Sequence, residues 1–216
     1  MNIYFVADIV TKSLYCSLAI SAIVSIILTV YFQLKNIRIL VYLLISLLFG
    51  ICDIYLGQFQ NLNHFLIPVF GMVEYFVWTR FFTPGNLKLR KRLIVTDILL
   101  VVYTCFEFYY LLVNSSFMII PSRSVAYLLV ILVMIYNYLK TMQIPSGINW
   151  MIYSFVFLYA SFNCTYFLLL NFSIYWKDEH TFFLWFFHSF LLHFFYLFLP
   201  YYQWKTGRSP QHFLFG

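Results

Sequence analysis

The sequence predicts an all-α fold, an integral membrane bundle of seven transmembrane helices with the N-terminus outside and the C-terminus in the cytoplasm. Three observations lead there. Of the 216 residues, 63% are hydrophobic and only 9% are charged, and the mean hydropathy is +0.86, whereas soluble domains are roughly a quarter charged. The apolar residues form long continuous runs rather than alternating with polar ones, which calls for helices and not barrel strands. Lysine and arginine collect beside alternate ends of those runs.

A helix needs about 20 apolar residues to cross a bilayer. Seven segments reach or approach that length, at 13–34, 39–58, 62–83, 93–113, 122–140, 149–174 and 181–203, and together they make a single transmembrane domain over 1–216. The first carries Ser13, Ser17, Ser21, Ser25 and Thr29, spaced by four and so near one helix face. Small hydroxylated residues in that pattern let another helix approach closely. They mark a packing face, either within the chain or as the seam of a homodimer. The second span follows Lys35 and Arg38. The third opens on Asn61, Asn63 and His64, contains Pro68 and Glu74, and ends at Arg80 and the turn Pro84-Gly85-Asn86. The fourth follows the basic run Lys88, Arg90, Lys91, Arg92. The fifth lies between Pro121 and Lys140, the sixth between Trp150 and Trp176. The seventh follows Lys177-Asp178-Glu179 and closes on Trp204 and Lys205. Tryptophan at such ends suits an interface where the ring is apolar and its N–H meets water.

Orientation follows from the basic residues. With the N-terminus outside, ten of the 13 Lys and Arg face the cytoplasm, and only Lys12, Arg123 and Lys177 do not. The net charge of +6 therefore reads as membrane anchoring and not as nucleic-acid binding. The start, MNIYFVADIVTK, has an acid before its first lysine and no basic leader, so the first apolar run is expected to remain in the mature chain. Cys16, Cys52, Cys105 and Cys164 each lie inside an apolar run and predict neither a disulfide nor a metal site. The connections are too short for a folded catalytic module. No P-loop, dinucleotide-binding glycine motif, nucleophile elbow or HExxH pair occurs. No cofactor is expected.

Polar residues within the spans are the candidate functional groups, because an ionisable side chain at mid-membrane costs about 2.5–3.5 kcal/mol on insertion scales. Asp53, Asn63, His64, Glu74, Glu107, Asn163, His188 and His193 all fall in or near the outer halves of their helices and outline an outward-opening polar cavity for a ligand. The alternative is that they pair helix to helix and fix the bundle. Asp97 lies close to the basic loop, where Arg90 to Arg92 are its expected partners. Lys88, Arg90, Lys91 and Arg92 form the expected cytoplasmic face for a partner protein.

A metal-dependent lipid hydrolase would require His188, His193 and His64, with Asp53 or Glu74, to converge. His188 and His193 are five residues apart, roughly 140° around a helix, whereas metal pairs on a helix favour a spacing of three or four. A small-solute transporter would require a polar path from Asn63 to Asp97, and no internal repeat supports one.

The stretch NLNHFLIPVFGMVEYFVWTRFF, Asn61 to Phe82, and the final HSFLLHFFYLFLPYYQW, His188 to Trp204, resemble small uncharacterised bacterial seven-helix membrane proteins that accompany two-component signalling proteins. The resemblance spans the whole hydropathy layout, and its most specific parts are the Asn-x-His mouth and the following Glu74. It carries over no catalytic residue. It implies a sensory or accessory membrane role, with the lipid bilayer and a cytoplasmic signalling protein as partners.

Overall fold

The computed structural model describes residues 3–33, 37–58, 66–83, 87–114, 121–141, 147–172 and 178–207. They form seven helices: α1 (Ile3–Val30), α2 (Ile37–Gln58), α3 (Leu66–Phe82), α4 (Leu87–Asn114), α5 (Pro121–Thr141), α6 (Gly147–Phe172) and α7 (Asp178–Gly207). Six contain stretches long and apolar enough to cross a membrane: Phe5–Val30, Ile37–Leu56, Lys91–Tyr110, Pro121–Leu139, Trp150–Leu170 and Phe182–Thr206. The chain is an all-helical, multi-pass membrane protein. The described part of α3 is 17 residues, about 25 Å at the usual rise per residue.

Six of the described helices begin before the predicted spans, and three of them by three residues or more: α1 at Ile3, α4 at Leu87 and α7 at Asp178. Apolar runs mark the part of a helix that hydrocarbon demands, but backbone hydrogen bonding continues into polar turns. In α1 the added turns hold an Asp8–Lys12 pair at 2.6 Å, one helical turn apart. Asn63 and His64 lie outside the described residues, as do Lys35 and the tail beyond Gly207.

The chain divides into two compact units. The first comprises Met1–Cys52, Pro145–Tyr159 and Phe172–Gln211, and the second comprises Asp53–Ile144, Ala160–Asn171 and His212–Gly216.

In the first unit α1 packs along α7. The Ser/Thr stripe supplies this face. Ser13 Oγ lies 2.9 Å from His193 Nε2. Twelve residues on, Ser25 Oγ donates to Gln203 Oε1 at 2.5 Å. Gln203 Nε2 in turn donates to Thr29 Oγ1 at 2.8 Å. The pairs 13 with 193 and 25 with 203 advance together, so α1 and α7 run parallel. Ser21 and Ala22 are buried between these contacts at 1% exposure, where larger side chains would hold the helices apart. Gln203 is fully buried and bonded at both ends of its amide. Replacing it with leucine is expected to cost about 1 kcal/mol in reversible unfolding from mixed micelles, since interhelical hydrogen bonds in membranes average roughly 0.6 kcal/mol each. An unchanged unfolding midpoint would refute that assignment.

α2 approaches α1 at Gly50, where a Cβ would stand 2.8 Å from Cε1 of Tyr15. Aromatic side chains fill the rest of the unit. Tyr159 stacks on Phe195 at 3.8 Å between centroids, and Phe155 stacks on Phe198 at 3.7 Å. Tyr42 meets the edge of Phe195.

In the second unit α3 and α5 run parallel with α4 antiparallel beside them. Glu74 meets Tyr127, and eight residues further along α3 the carbonyl of Phe82 accepts from Asn137 Nδ2 at 2.8 Å. Leu89 and Leu93 of α4 pack with Val133 of α5. α4 shows what lipid does to helix amphipathicity. Leu93, Asp97, Leu100, Thr104 and Glu107 form its buried stripe, at spacings of three and four, while Val95, Leu99, Val102 and Phe106 are all above 60% exposed. The polar groups point inward and the hydrocarbon side chains outward, the reverse of a helix on a water-soluble protein.

Candidate functional site

A buried charge cluster joins α3 to α5. Glu74 is 1% exposed, and its Oε2 accepts a hydrogen bond from the Tyr127 hydroxyl. Arg123 Nη2 lies 3.6 Å from the same oxygen and 3.4 Å from the Tyr127 hydroxyl, to which it donates. Arg123 and Tyr127 are four residues apart and share one face of α5. The guanidinium carbon sits 4.2 Å from the ring centroid of Phe167, 5.2 Å from that of Phe70 and 5.9 Å from that of Tyr127. Those ring faces offer electron density to the cation where water is scarce. Room for Arg123 comes from Gly71, one turn before Glu74. A Cβ there would lie 2.7 Å from Arg123 Cγ and 3.2 Å from its Cα.

A second polar group ties α3 to α4. Asp97 accepts from Tyr75 at 2.9 Å and from Arg80 Nη2 at 2.5 Å. Its described cationic partner is thus Arg80 on α3, whereas the sequence pointed to the Arg90 to Arg92 run. The antiparallel course of α4 beside α3 brings Arg80 to Asp97, while Lys91 and Arg92 are exposed. Lys88 and Arg90 lie in the first turn of the same helix.

Of the other predicted site residues, Glu107 is 6% exposed and Asn163 is 2% exposed, both in the second unit. Asp53, at the start of that unit's first segment, is half-buried. His188 is buried, and His193 is half-buried with Nδ1 at 2.7 Å from the Ser189 carbonyl. That carbonyl can only accept, so Nδ1 carries a proton. Both histidines belong to the first unit. Among the described residues no three His, Cys, Asp or Glu side chains group as metal ligands. His64, which the hydrolase reading needs, lies outside them.

Arg123, Tyr127, Gly71, Tyr75 and Gln203 were not among the sequence candidates. The charge pattern places Arg123 only among the basic residues of the outer side. The signals available were its spacing of four from Tyr127 and the placement of Gly71 three residues before Glu74. No protein-family model, curated protein or solved structure matches this chain.

Proposed function

We propose that this is a non-enzymatic membrane sensor or accessory subunit, with seven crossings, its N-terminus outside and its C-terminus inside. The single observation that carries the reading is the Glu74–Arg123–Tyr127 cluster, which couples α3 to α5 by buried charge. From there α3 runs to Arg80 and Phe82, which hold α4 and α5 through Asp97 and Asn137. The basic start of α4, Lys88 to Arg92, follows directly. A ligand or bilayer change that redistributes charge at Glu74 therefore acts on a continuous path toward the proposed cytoplasmic face. Such an effect requires different affinities for two helix arrangements. The parallel courses of α1 with α7 and of α3 with α5 support an odd number of crossings, and the positive-inside asymmetry supports the orientation. The resemblance to small membrane proteins that accompany two-component systems favours a cytoplasmic signalling protein as the partner.

One variant tests both parts. Lys91→Cys is made in a background where Cys16, Cys52, Cys105 and Cys164 are alanine. In intact cells a membrane-impermeant maleimide is expected to leave it unlabelled. In inside-out vesicles a photoactivatable maleimide on the same residue is expected to cross-link one discrete protein, with a yield altered by Glu74→Gln. Labelling from the exterior sinks the orientation. A missing cross-link, or one indifferent to Glu74→Gln, sinks the sensor reading.

A further inference from the structure

We propose that Glu107, Thr104 and Ser122 form a binding site for one small cation, a sodium ion or a proton. The inference stands on a different carboxylate from the charge cluster above and holds whether or not the chain signals. Each of the other two carboxylates buried in the second unit has its own cation and hydroxyl: Glu74 has Arg123 and Tyr127, and Asp97 has Arg80 and Tyr75. Glu107 has neither. It is 6% exposed, and both of its carboxylate oxygens lack a hydrogen-bond partner. Thr104, three residues before it on the same face of α4, is 3% exposed with an unpartnered hydroxyl, and Ser122 at the start of α5 is 1% exposed with the same deficit.

The threonine is informative. Thr29, Thr79, Thr83, Thr165 and Thr206 all turn their hydroxyls back to the carbonyl four residues earlier. Thr104 does not, which leaves its oxygen available to something else. The hydroxyl and backbone amide of Ser122 face the Glu107 carboxylate, but neither approach has hydrogen-bonding geometry. The positive end of α5 is worth roughly half a charge, which leaves part of the carboxylate's charge unbalanced in a medium that tolerates little. A bound cation supplies the remainder. The donors are all oxygen, which suits a hard ion or a proton and not a thiolate- or imidazole-seeking metal.

Among the described side chains of the helices that flank α4, the charged groups are already engaged, Glu74 with Arg123 and Arg80 with Asp97. On α4 itself the Glu107 charge acts on Tyr103, one turn before it. The thermal unfolding midpoint of the detergent-purified protein provides the test. Sodium is exchanged for choline at constant ionic strength in one arm, and pH is lowered without sodium in the other. A sodium site gives the wild type a lower midpoint in choline than in sodium. A proton site raises the midpoint in the second arm, indifferent to sodium. In either case Glu107→Gln, neutral already, is expected to abolish the response. If wild type responds to neither, or Glu107→Gln responds equally, the proposal is overturned and Glu107 is only a helix cap. Should Glu107→Gln fail to fold, Thr104→Val keeps the carboxylate. It is expected to weaken the wild-type response, in sodium or in proton concentration, by about tenfold or more. An unaltered concentration dependence would overturn the site.

Discussion

Glu74→Ala is expected to destabilise the protein by about 3–5 kcal/mol, the usual range when one partner of a buried ion pair is deleted. The loss comes less from the missing attraction than from what remains. Arg123 would keep a full charge among Phe70, Tyr127 and Phe167 without the Glu74 carboxylate, and the Tyr127 hydroxyl would lose that oxygen as acceptor. The aromatic faces soften that cost without removing it, since a cation–π contact contributes only about 0.5–2 kcal/mol. Removing the charge as well, in Glu74→Ala combined with Arg123→Met, is expected to recover most of the stability, because methionine fills the space without a charge to solvate. Reversible unfolding in mixed micelles, run as a double-mutant cycle, measures both terms. Additive losses from the two single substitutions would mean that Glu74 and Arg123 do not act as a pair.

Gly71→Val is expected to cost about 1–3 kcal/mol by overpacking, in the same unfolding assay. The added Cβ would overlap Arg123 Cγ at 2.7 Å, and it would also press on Arg123 Cα at 3.2 Å. A side-chain tip can swing aside, but a Cα moves only if α5 moves. Relief therefore requires α3 and α5 to separate, which lengthens the Glu74–Arg123 contact. Gly71→Ala shares the first clash and is expected to cost less, since its Cβ carries no branches. If Gly71→Val were as stable as the wild type, the close approach of these two helices would be wrong.

Much of the fold could be read from the residues, because lipid imposes a simple rule. The apolar runs located the cores of the helices, and Ser13, Ser25 and Thr29 of the four-residue repeat meet α7. The helix starts at Ile3, Leu87 and Asp178 were missed because hydropathy is blind to polar turns that backbone bonding still supports. The site was legible only in part. Glu74 and Glu107 stood out as costly charges. Their surroundings did not, because Arg123 is 49 residues from Glu74 and looked like a surface charge at a helix end. Asp97 illustrates the same problem. Its neighbours in sequence are basic, but the neighbour in space that holds it lies on the preceding helix.

The long separation between Glu74 and Arg123 also bears on how the chain is made. α3 emerges from the ribosome and reaches the insertion machinery well before α5 exists. Until then its glutamate lacks the Arg123 guanidinium, although Arg80 is already at hand for Asp97. Synthesis must pass through an interval in which α3 waits beside the translocon without the arginine that pairs with Glu74, and α5 ends that wait. A nascent chain halted before residue 121 is thus expected to be a preferred target for membrane quality-control proteases, and one halted after α5 has inserted is expected to be spared.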